Sequence, residues 1–221
     1  LQTKDDVSLE RRQALALKAF QRTALYDATI SHYLAELFES FERERFPDLL
    51  PLGLMKKEDL RYGENPHQRA ALYVMREGSG PLGGVLLSGK ALSYNNILDM
   101  DAAWRVVQDF AAPTVVIIKH SNPCGLASAP DLARAFRLAL EGDPVSAFGS
   151  VVAVNYPFDG ATAQAMGDLF VEVIVAPSFT EEARDALAQR KDCRLLEMAD
   201  TDFGHGFHGK EKDEGLPWEI R

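Results

Sequence analysis

The sequence predicts an α/β protein, and three observations support this fold class. From Leu60 onward, short apolar runs separated by Gly, Pro and Asn alternate with helical patterns, which is typical of parallel strands joined by crossover helices. Hydrophobic residues make up 46% of the 221 residues and charged residues 26%, a mixture that provides enough apolar side chains for a core. The segment before Leu60 has a helical pattern, so we expect a helical segment followed by a sheet flanked by helices.

Two helices are predicted at the start of the chain. Ser8 is suited to cap a first helix that runs to about Leu25, and Asp27 is suited to cap a second that Pro47 and Pro51 end. The second helix carries an apolar stripe at helical spacing, which we call the 30–41 stripe: Ile30, Tyr33, Leu34, Leu37, Phe38 and Phe41. We expect this stripe to pack against a partner subunit or against a domain outside this chain.

The remaining predicted elements follow from apolar runs and their flanking turn residues. The predicted strands are 71–75, 85–87, 115–119, 151–155, 173–176 and 194–196, and the predicted helices are 99–110, 132–140, 161–169 and 181–189. Asn95 or Asn96 is suited to cap the helix 99–110. We expect a helical linker over residues 1–56, an α/β unit over residues 57–198, and an acidic, glycine-rich loop over residues 199–221.

Charge, apolar runs and cysteine content exclude several classes of protein. The chain carries 24 Lys and Arg against 33 Asp and Glu, a net charge of −9, so no basic surface for nucleic acid is expected. Apolar runs such as Val115–Ile118 are four residues long, whereas a membrane span needs about 20. Two cysteines provide no disulfide framework, and the first 20 residues lack an apolar signal region. We expect a cytoplasmic protein with no nucleic-acid or membrane partner.

The strongest internal signal for chemistry is the abrupt end of one apolar strand. Val115–Ile118 runs directly into Lys119 and His120, and ligands of open α/β proteins bind outside the carboxyl ends of parallel strands. At such a position Lys119 can donate to a developing oxyanion, and His120 can accept a proton close to neutral pH. The alternative is that the strand leaves the core through an ordinary polar turn, and spacing alone does not decide between the two.

Further polar runs occupy residues 61–68, 93–99 and 143–149. Arg61 has a planar fork suited to phosphate or carboxylate, and Tyr62 offers a flat aromatic face with a hydroxyl. Gly149 would let a ligand approach the backbone closely. Two of these runs also have a simpler interpretation: 61–68 as a surface turn and 93–99 as a helix cap.

A zinc site has weak support in the sequence. Pro123 and Cys124 match the start of the Pro-Cys-x-x-Cys signature of zinc nucleobase deaminases, but Ala127 stands at the second cysteine position and no His-x-Glu occurs. His205 and His208 are three residues apart among glycines and lack a third ligand. We therefore expect no metal site.

Four motifs, taken in order, resemble one known family. They are Leu60–Gln68 (LRYGENPHQ), Leu92–Asp99 (LSYNNILD), Ile118–Gly125 (IKHSNPCG) and Asp143–Gly149 (DPVSAFG). Together they resemble the AICAR formyltransferase region of the bifunctional purine biosynthesis enzymes, the PurH family, and the resemblance extends from about Ser8 to Leu196. It implies a mixed sheet flanked by helices, similar to that of cytidine deaminases. Because the family's IMP cyclohydrolase domain and second formyltransferase half are absent from this sequence, we expect the chain to be a fragment.

The resemblance also implies a reaction and a set of site residues. The reaction transfers a formyl group from 10-formyltetrahydrofolate to the 5-amino group of 5-aminoimidazole-4-carboxamide ribonucleotide (AICAR), giving FAICAR. His120 would accept the proton and Lys119 would stabilise the transition state. The implied nucleotide contacts are Arg61, Tyr62, Gly149 and Glu172, with His67 and Asn96 as supporting residues.

The resemblance further implies a homodimer with its active site at the subunit interface. Two other interpretations remain open from the residues. One is a non-catalytic module that binds a nucleotide or mediates dimerisation, and the other is a zinc nucleobase deaminase. Separate titrations of AICAR and of the formyl donor distinguish the first, and metal analysis distinguishes the second.

Overall fold

The structure is a computed structural model, and it describes residues 7–38, 48–75 and 80–198. The chain divides into two compact units, Leu1–Gly80 and Pro81–Arg221. The predicted acidic loop, residues 199–221, and the predicted helix breaker Pro47 lie outside the described residues. The predicted boundaries after residues 56 and 198 stay predictions.

The first unit begins with one long helix rather than the two that were predicted. Helix α1 spans Leu9–Phe38, and Ser8 caps it, because its Oγ accepts a hydrogen bond of 3.2 Å from the amide of Arg11. The prediction of a break at Asp27 is wrong. No Gly or Pro occurs within the helix. Continuous backbone hydrogen bonds through Asp27 are therefore more favourable than a break capped by its side chain. The five described residues of the 30–41 stripe are exposed, and Phe41 lies outside the described residues.

A two-stranded antiparallel hairpin completes the first unit. Its strands are β1 (Met55–Asp59) and β2 (Ala71–Val74). Strand β1 was not predicted, because its sequence MKKED is mostly charged and shows no apolar alternation. The hairpin places the polar run 61–68 in the loop that connects its two strands.

The second unit contains a six-stranded mixed sheet, which confirms the predicted fold class. Its strands are β3 (Val85–Ser88), β4 (Thr114–Lys119), β5 (Asn122–Ser128), β6 (Ser150–Val154), β7 (Val171–Ala176) and β8 (Arg194–Glu197). A short 3-10 helix, Pro81–Gly83, precedes them. The order across the sheet is β3-β8-β7-β6-β4-β5. Strands β6, β7 and β8 are parallel, and the other neighbouring pairs are antiparallel.

Helices flank this sheet. They are α2 (Tyr94–Gln108), α3 (Leu132–Gly142), α4 (Gly160–Ala165) and α5 (Glu181–Leu187). The main core joins apolar side chains of the sheet, such as Val152 and Ile174, to those of α3, α4 and α5, such as Phe136. Met100 and Val107 of α2 are fully buried outside that cluster, and α2 packs against β4, β6 and β7. Because side chains alternate between the two faces of a sheet, α2 covers the opposite face.

The direction of β4 corrects one step of the sequence argument. It is antiparallel to both β5 and β6, with Ile118 opposite Val151. The carboxyl end of β4 therefore lies at the amino-terminal edge of the parallel strands, not at their carboxyl edge as the sequence argument assumed. A two-residue turn causes this, because it sends the chain straight back as β5 instead of into a crossover helix.

Candidate active site

The turn between β4 and β5 carries Lys119 and His120. Lys119 pairs with Asn122 across the hairpin, and the two residues between them, His120 and Ser121, have φ of 53° and 61°. Positive φ at both central residues is a feature of type I′ hairpin turns, and non-glycine residues adopt it at a cost. Two hydrogen bonds hold the turn: the Ser121 amide donates to Asp99 Oδ1 of α2 at 2.7 Å, and Asn122 Nδ2 donates to the His120 carbonyl at 2.9 Å.

Lys119 is directed toward the loop that ends at Gly149. Its ammonium donates a hydrogen bond to the carbonyl oxygen of Phe148. A Cβ atom added to Gly149, which has φ of +71°, would lie 3.3 Å from Lys119 Nζ. The Gly149 amide donates to the Phe170 carbonyl at 2.7 Å. The antiparallel pairing of β4 with β6 thus brings the Lys119 ammonium against the backbone of Phe148 and Gly149.

An internal turn organises the loop before Gly149. The Asp143 carboxylate accepts hydrogen bonds from the Ser146 hydroxyl at 2.6 Å and from the Ser146 amide at 2.9 Å. These bonds lower the pKa of Asp143, because a carboxylate that accepts hydrogen bonds is favoured over its protonated form. An ionised Asp143 therefore fixes the turn that leads to Gly149.

A second cluster joins Asn96 to Glu172. Asn96 sits in the first turn of α2, where it forms a capping box with Ser93: the Asn96 amide donates to Ser93 Oγ and the Ser93 amide donates to Asn96 Oδ1. The true cap is therefore Ser93 rather than Asn95 or Asn96. The side-chain amide of Asn96 is left to donate to Glu172 Oε2, at 2.7 Å. Arg194 Nη1 lies 3.7 Å from the same oxygen.

Sequence reasoning missed Arg194 and the cap Ser93. The signal for Arg194 was an arginine at the start of a short strand, RLLE, whose two central residues are apolar. Such a residue is either the exposed end of a strand or a buried charge, and only the three-dimensional structure decides.

Arg61, Tyr62 and His67 share the loop between β1 and β2 in the first unit. The loop is closed by backbone hydrogen bonds of 2.9 Å, from Leu60 to Ala70 and from Gly63 to Gln68. The Arg61 guanidinium carbon lies 5.3 Å from the centre of the Tyr62 ring, a cation–π distance. The other predicted site residues, Lys119, His120, Gly149, Glu172 and Asn96, belong to the second unit.

A cavity of about 250 Å³ lies elsewhere, between α5 and strands β3 and β8. Its lining includes Leu87, Leu187 and the buried Cys193, and none of the predicted site residues contributes to it. This cavity therefore does not mark the position of the predicted site residues. The hydrogen bonds that join Lys119 to the 143–149 loop and Asn96 to Glu172 are the better guide, because they fix the positions of chemically competent groups.

Metal-ligating side chains are scattered in the described parts of the chain. Over residues 7–38, 48–75 and 80–198, no three His, Cys, Asp or Glu side chains group in a way that could hold a metal ion. Cys124 Sγ donates to the Ile117 carbonyl at 3.4 Å, and burial raises the pKa of this thiol, which disfavours the thiolate that zinc requires. His205 and His208 lie outside these residues. Within the same ranges, no helix has both the length and the apolar character needed to cross a membrane.

Comparison with known proteins decides the family. Residues 1–216 match the model of the AICARFT/IMPCHase bienzyme family. The chain belongs to this family. One AICARFT/IMPCHase relative is the bifunctional purine biosynthesis protein PurH of Acidithiobacillus ferrooxidans (strain ATCC 53993 / BNL-5-31), which is 48% identical over 198 residues. These residues are 88% of this chain and 37% of the relative, so the chain spans little more than a third of that protein's length. The resemblance carried by the four sequence motifs is confirmed.

Proposed function

We propose that this chain supplies the acid–base part of an AICAR formyltransferase, which transfers the formyl group of 10-formyltetrahydrofolate to the 5-amino group of AICAR. The observation that carries the proposal is the turn that presents Lys119 and His120 side by side, with the Lys119 ammonium against the backbone of Phe148 and Gly149. Family membership and 48% identity to a PurH protein support the same reaction.

The reaction needs the two groups that this turn provides. The 5-amino group of AICAR is conjugated to a carboxamide and is a poor nucleophile, so attack on a formyl carbon needs a base for its proton. It also needs a donor for the formyl oxygen, on which negative charge develops. The imidazole of His120 takes the proton as the new C–N bond forms. The bond between the formyl carbon and N10 of the donor then breaks with its electron pair on N10, which takes up one proton as tetrahydrofolate leaves.

Lys119 can serve the formyl oxygen without leaving its present position. An ammonium has three donors, and the hydrogen bond to the Phe148 carbonyl uses one of them. That bond fixes the Nζ atom, so the remaining donors are positioned before substrate arrives. Preorganised donors of this kind avoid reorganisation during the reaction.

The remaining predicted residues are proposed to bind the nucleotide. Gly149 offers close approach to its backbone, and Glu172 offers a carboxylate acceptor braced by Asn96. Arg61 and Tyr62 offer a cationic fork and an aromatic face on one loop, and His67 supports that loop. We propose a homodimer with the site at the subunit interface, a cytoplasmic location, and a folate site built mostly by parts of the protein outside this chain.

The share of the relative that this chain covers favours one alternative. Because the chain spans 37% of a PurH protein, it can act by itself as a nucleotide-binding or dimerisation module without catalysis. Titration of AICAR and of the formyl donor onto the isolated chain tests this: a binding module takes up AICAR alone. A zinc nucleobase deaminase is the second alternative, and stoichiometric zinc in purified protein would favour it.

The test of the proposal is formyl transfer by the complete gene product. We expect FAICAR formation that depends on both AICAR and 10-formyltetrahydrofolate, and a loss of about 10²-fold or more in turnover for Lys119→Met. Lys191→Met is the matched control, since Lys191 lines the cavity beside α5 and is not one of the predicted site residues. Absence of formyl transfer by the wild type, or equal effects of the two substitutions, would contradict the proposal.

A further inference from the structure

Arg194, at the start of β8, is an arginine buried inside the second unit. Its side chain is 2% exposed, and a buried guanidinium needs acceptors for its donors. The structure supplies backbone carbonyls: Nε donates to Lys90 at 3.0 Å, Nη2 to Ala91 at 3.2 Å, and Nη1 to Asp192 at 3.2 Å and to Glu172 at 3.3 Å. One side chain thus joins β7, β8 and the segment that leads to α2.

The same guanidinium faces the carboxylate of Glu172. Arg194 Nη1 lies 3.7 Å from Glu172 Oε2, the oxygen that accepts the hydrogen bond from Asn96. The Glu172 side chain is 32% exposed. Asn96 and Arg194 therefore hold the carboxylate from the protein side at Oε2, while about a third of the side chain stays open to solvent.

Arg194 is also linked to Asn96, the residue that donates a hydrogen bond to the Glu172 carboxylate. Its bond to the Ala91 carbonyl is made two residues before Ser93, the cap of α2. The capping box of Ser93 and Asn96 in turn orients the Asn96 side chain toward Glu172. Arg194 is thus linked to Glu172 directly and through the α2 cap.

We propose that Arg194 is a positioning residue of the nucleotide site, which holds the Glu172 carboxylate in the orientation that receives AICAR. The inference rests on the proposed function, in which Glu172 contacts that nucleotide. Arginine suits the role because its planar fork donates to several fixed acceptors at once and stays charged. A lysine at this position would keep the charge and lose the fork.

Steady-state kinetics of the complete gene product test the inference. We expect Arg194→Met to raise the KM for AICAR about tenfold or more, while the KM for the formyl donor changes less than about twofold. Arg194→Lys should give an intermediate KM for AICAR. The matched control is Arg184→Met: Arg184 forms an ion pair of 2.9 Å with Glu197, at the other end of β8, and its loss should leave both KM values unchanged.

A double-variant cycle separates positioning from general stability. If Arg194 acts through Glu172, Arg194→Met in a Glu172→Gln background should add little to the KM for AICAR, because the two effects share one contact. Fully multiplicative effects would overturn the inference, as would a lowered melting temperature with an unchanged KM for AICAR. If Arg194→Met does not fold, the cycle with Arg194→Lys gives the same comparison.

Failure of the inference is distinguishable from failure of the proposed function. A wild-type protein without formyl transfer overturns the proposed function. In that case titration of AICAR decides the positioning role, and equal affinity of the wild type and Arg194→Lys overturns it.

Discussion

Substitution of Gly149 by alanine tests the contact between Lys119 and the 143–149 loop. Gly149 has φ of +71°, and its added Cβ would lie 3.3 Å from Lys119 Nζ and 3.8 Å from the Phe170 ring. The ring distance is ordinary van der Waals contact. The ammonium distance is short, and because Nζ is the end of a flexible chain, the lysine will move rather than the backbone.

The structure separates two consequences of this substitution. An alanine in the left-handed region costs about 1–2 kcal/mol of folding free energy. Displacement of Nζ by a few tenths of an ångström weakens its bond to the Phe148 carbonyl and misplaces the proposed donor. Since a misplacement of about 1 Å can cost 10²-fold in rate, we expect a loss of roughly tenfold in turnover.

The assay combines urea unfolding with formyl transfer by the complete gene product. Gly167→Ala is the matched control, because Gly167 has φ of +51° and nothing lies within 4 Å of its added Cβ. Both variants should lose similar stability, and only Gly149→Ala should lose turnover. Equal turnover in the two variants would refute the proposed role of the Lys119 contact.

Three further outcomes follow from local packing. Gly125→Ala places a Cβ 1.9 Å from the Ala139 carbonyl oxygen, so denaturant unfolding should show a loss of about 3 kcal/mol or more, and normal stability would contradict the packing of β5 against α3. Burial raises the pKa of the Cys193 thiol from 9.0 to about 12, so the stability that this thiol contributes is present below pH 9.0 and is lost as the pH rises toward about 12. Mass spectrometry of the folded protein should show slow alkylation of this thiol at about pH 8, and rapid labelling would argue against its burial. Ser150 Oγ is buried with no hydrogen-bond partner among the described residues. Ser150→Ala should therefore change the free energy of unfolding by less than about 1 kcal/mol, and a large loss of stability would reveal a partner.

The elements that could be predicted from the sequence are those with strong local signals. Strands β4, β6 and β7 are apolar runs, and α3 begins directly after Asp131, whose side chain caps it. Strand β5 was missed because Asn122-Pro123-Cys124-Gly125 is typical of a turn. A proline is tolerated there since β5 is an edge strand of the sheet.

The site shows where sequence reasoning stops. The position of Lys119 and His120 at the end of a buried strand could be predicted, because both residues directly follow the apolar run Val115–Ile118. The direction of that strand could not, since the turn after it uses positive φ at His120 and Ser121 without a glycine to signal it. The bracing of Glu172 by Arg194 joins two strands at a buried position, and no local pattern reports such a contact.

The central claim is that His120 accepts the proton during formyl transfer, and one measurement tests it most directly. In the complete gene product, we expect His120→Ala to lower turnover by about 10²- to 10⁴-fold, the usual contribution of a general base. AICAR affinity, measured by titration, should stay within about threefold of the wild type. Turnover equal to that of the wild type would remove His120 from this role and contradict the account.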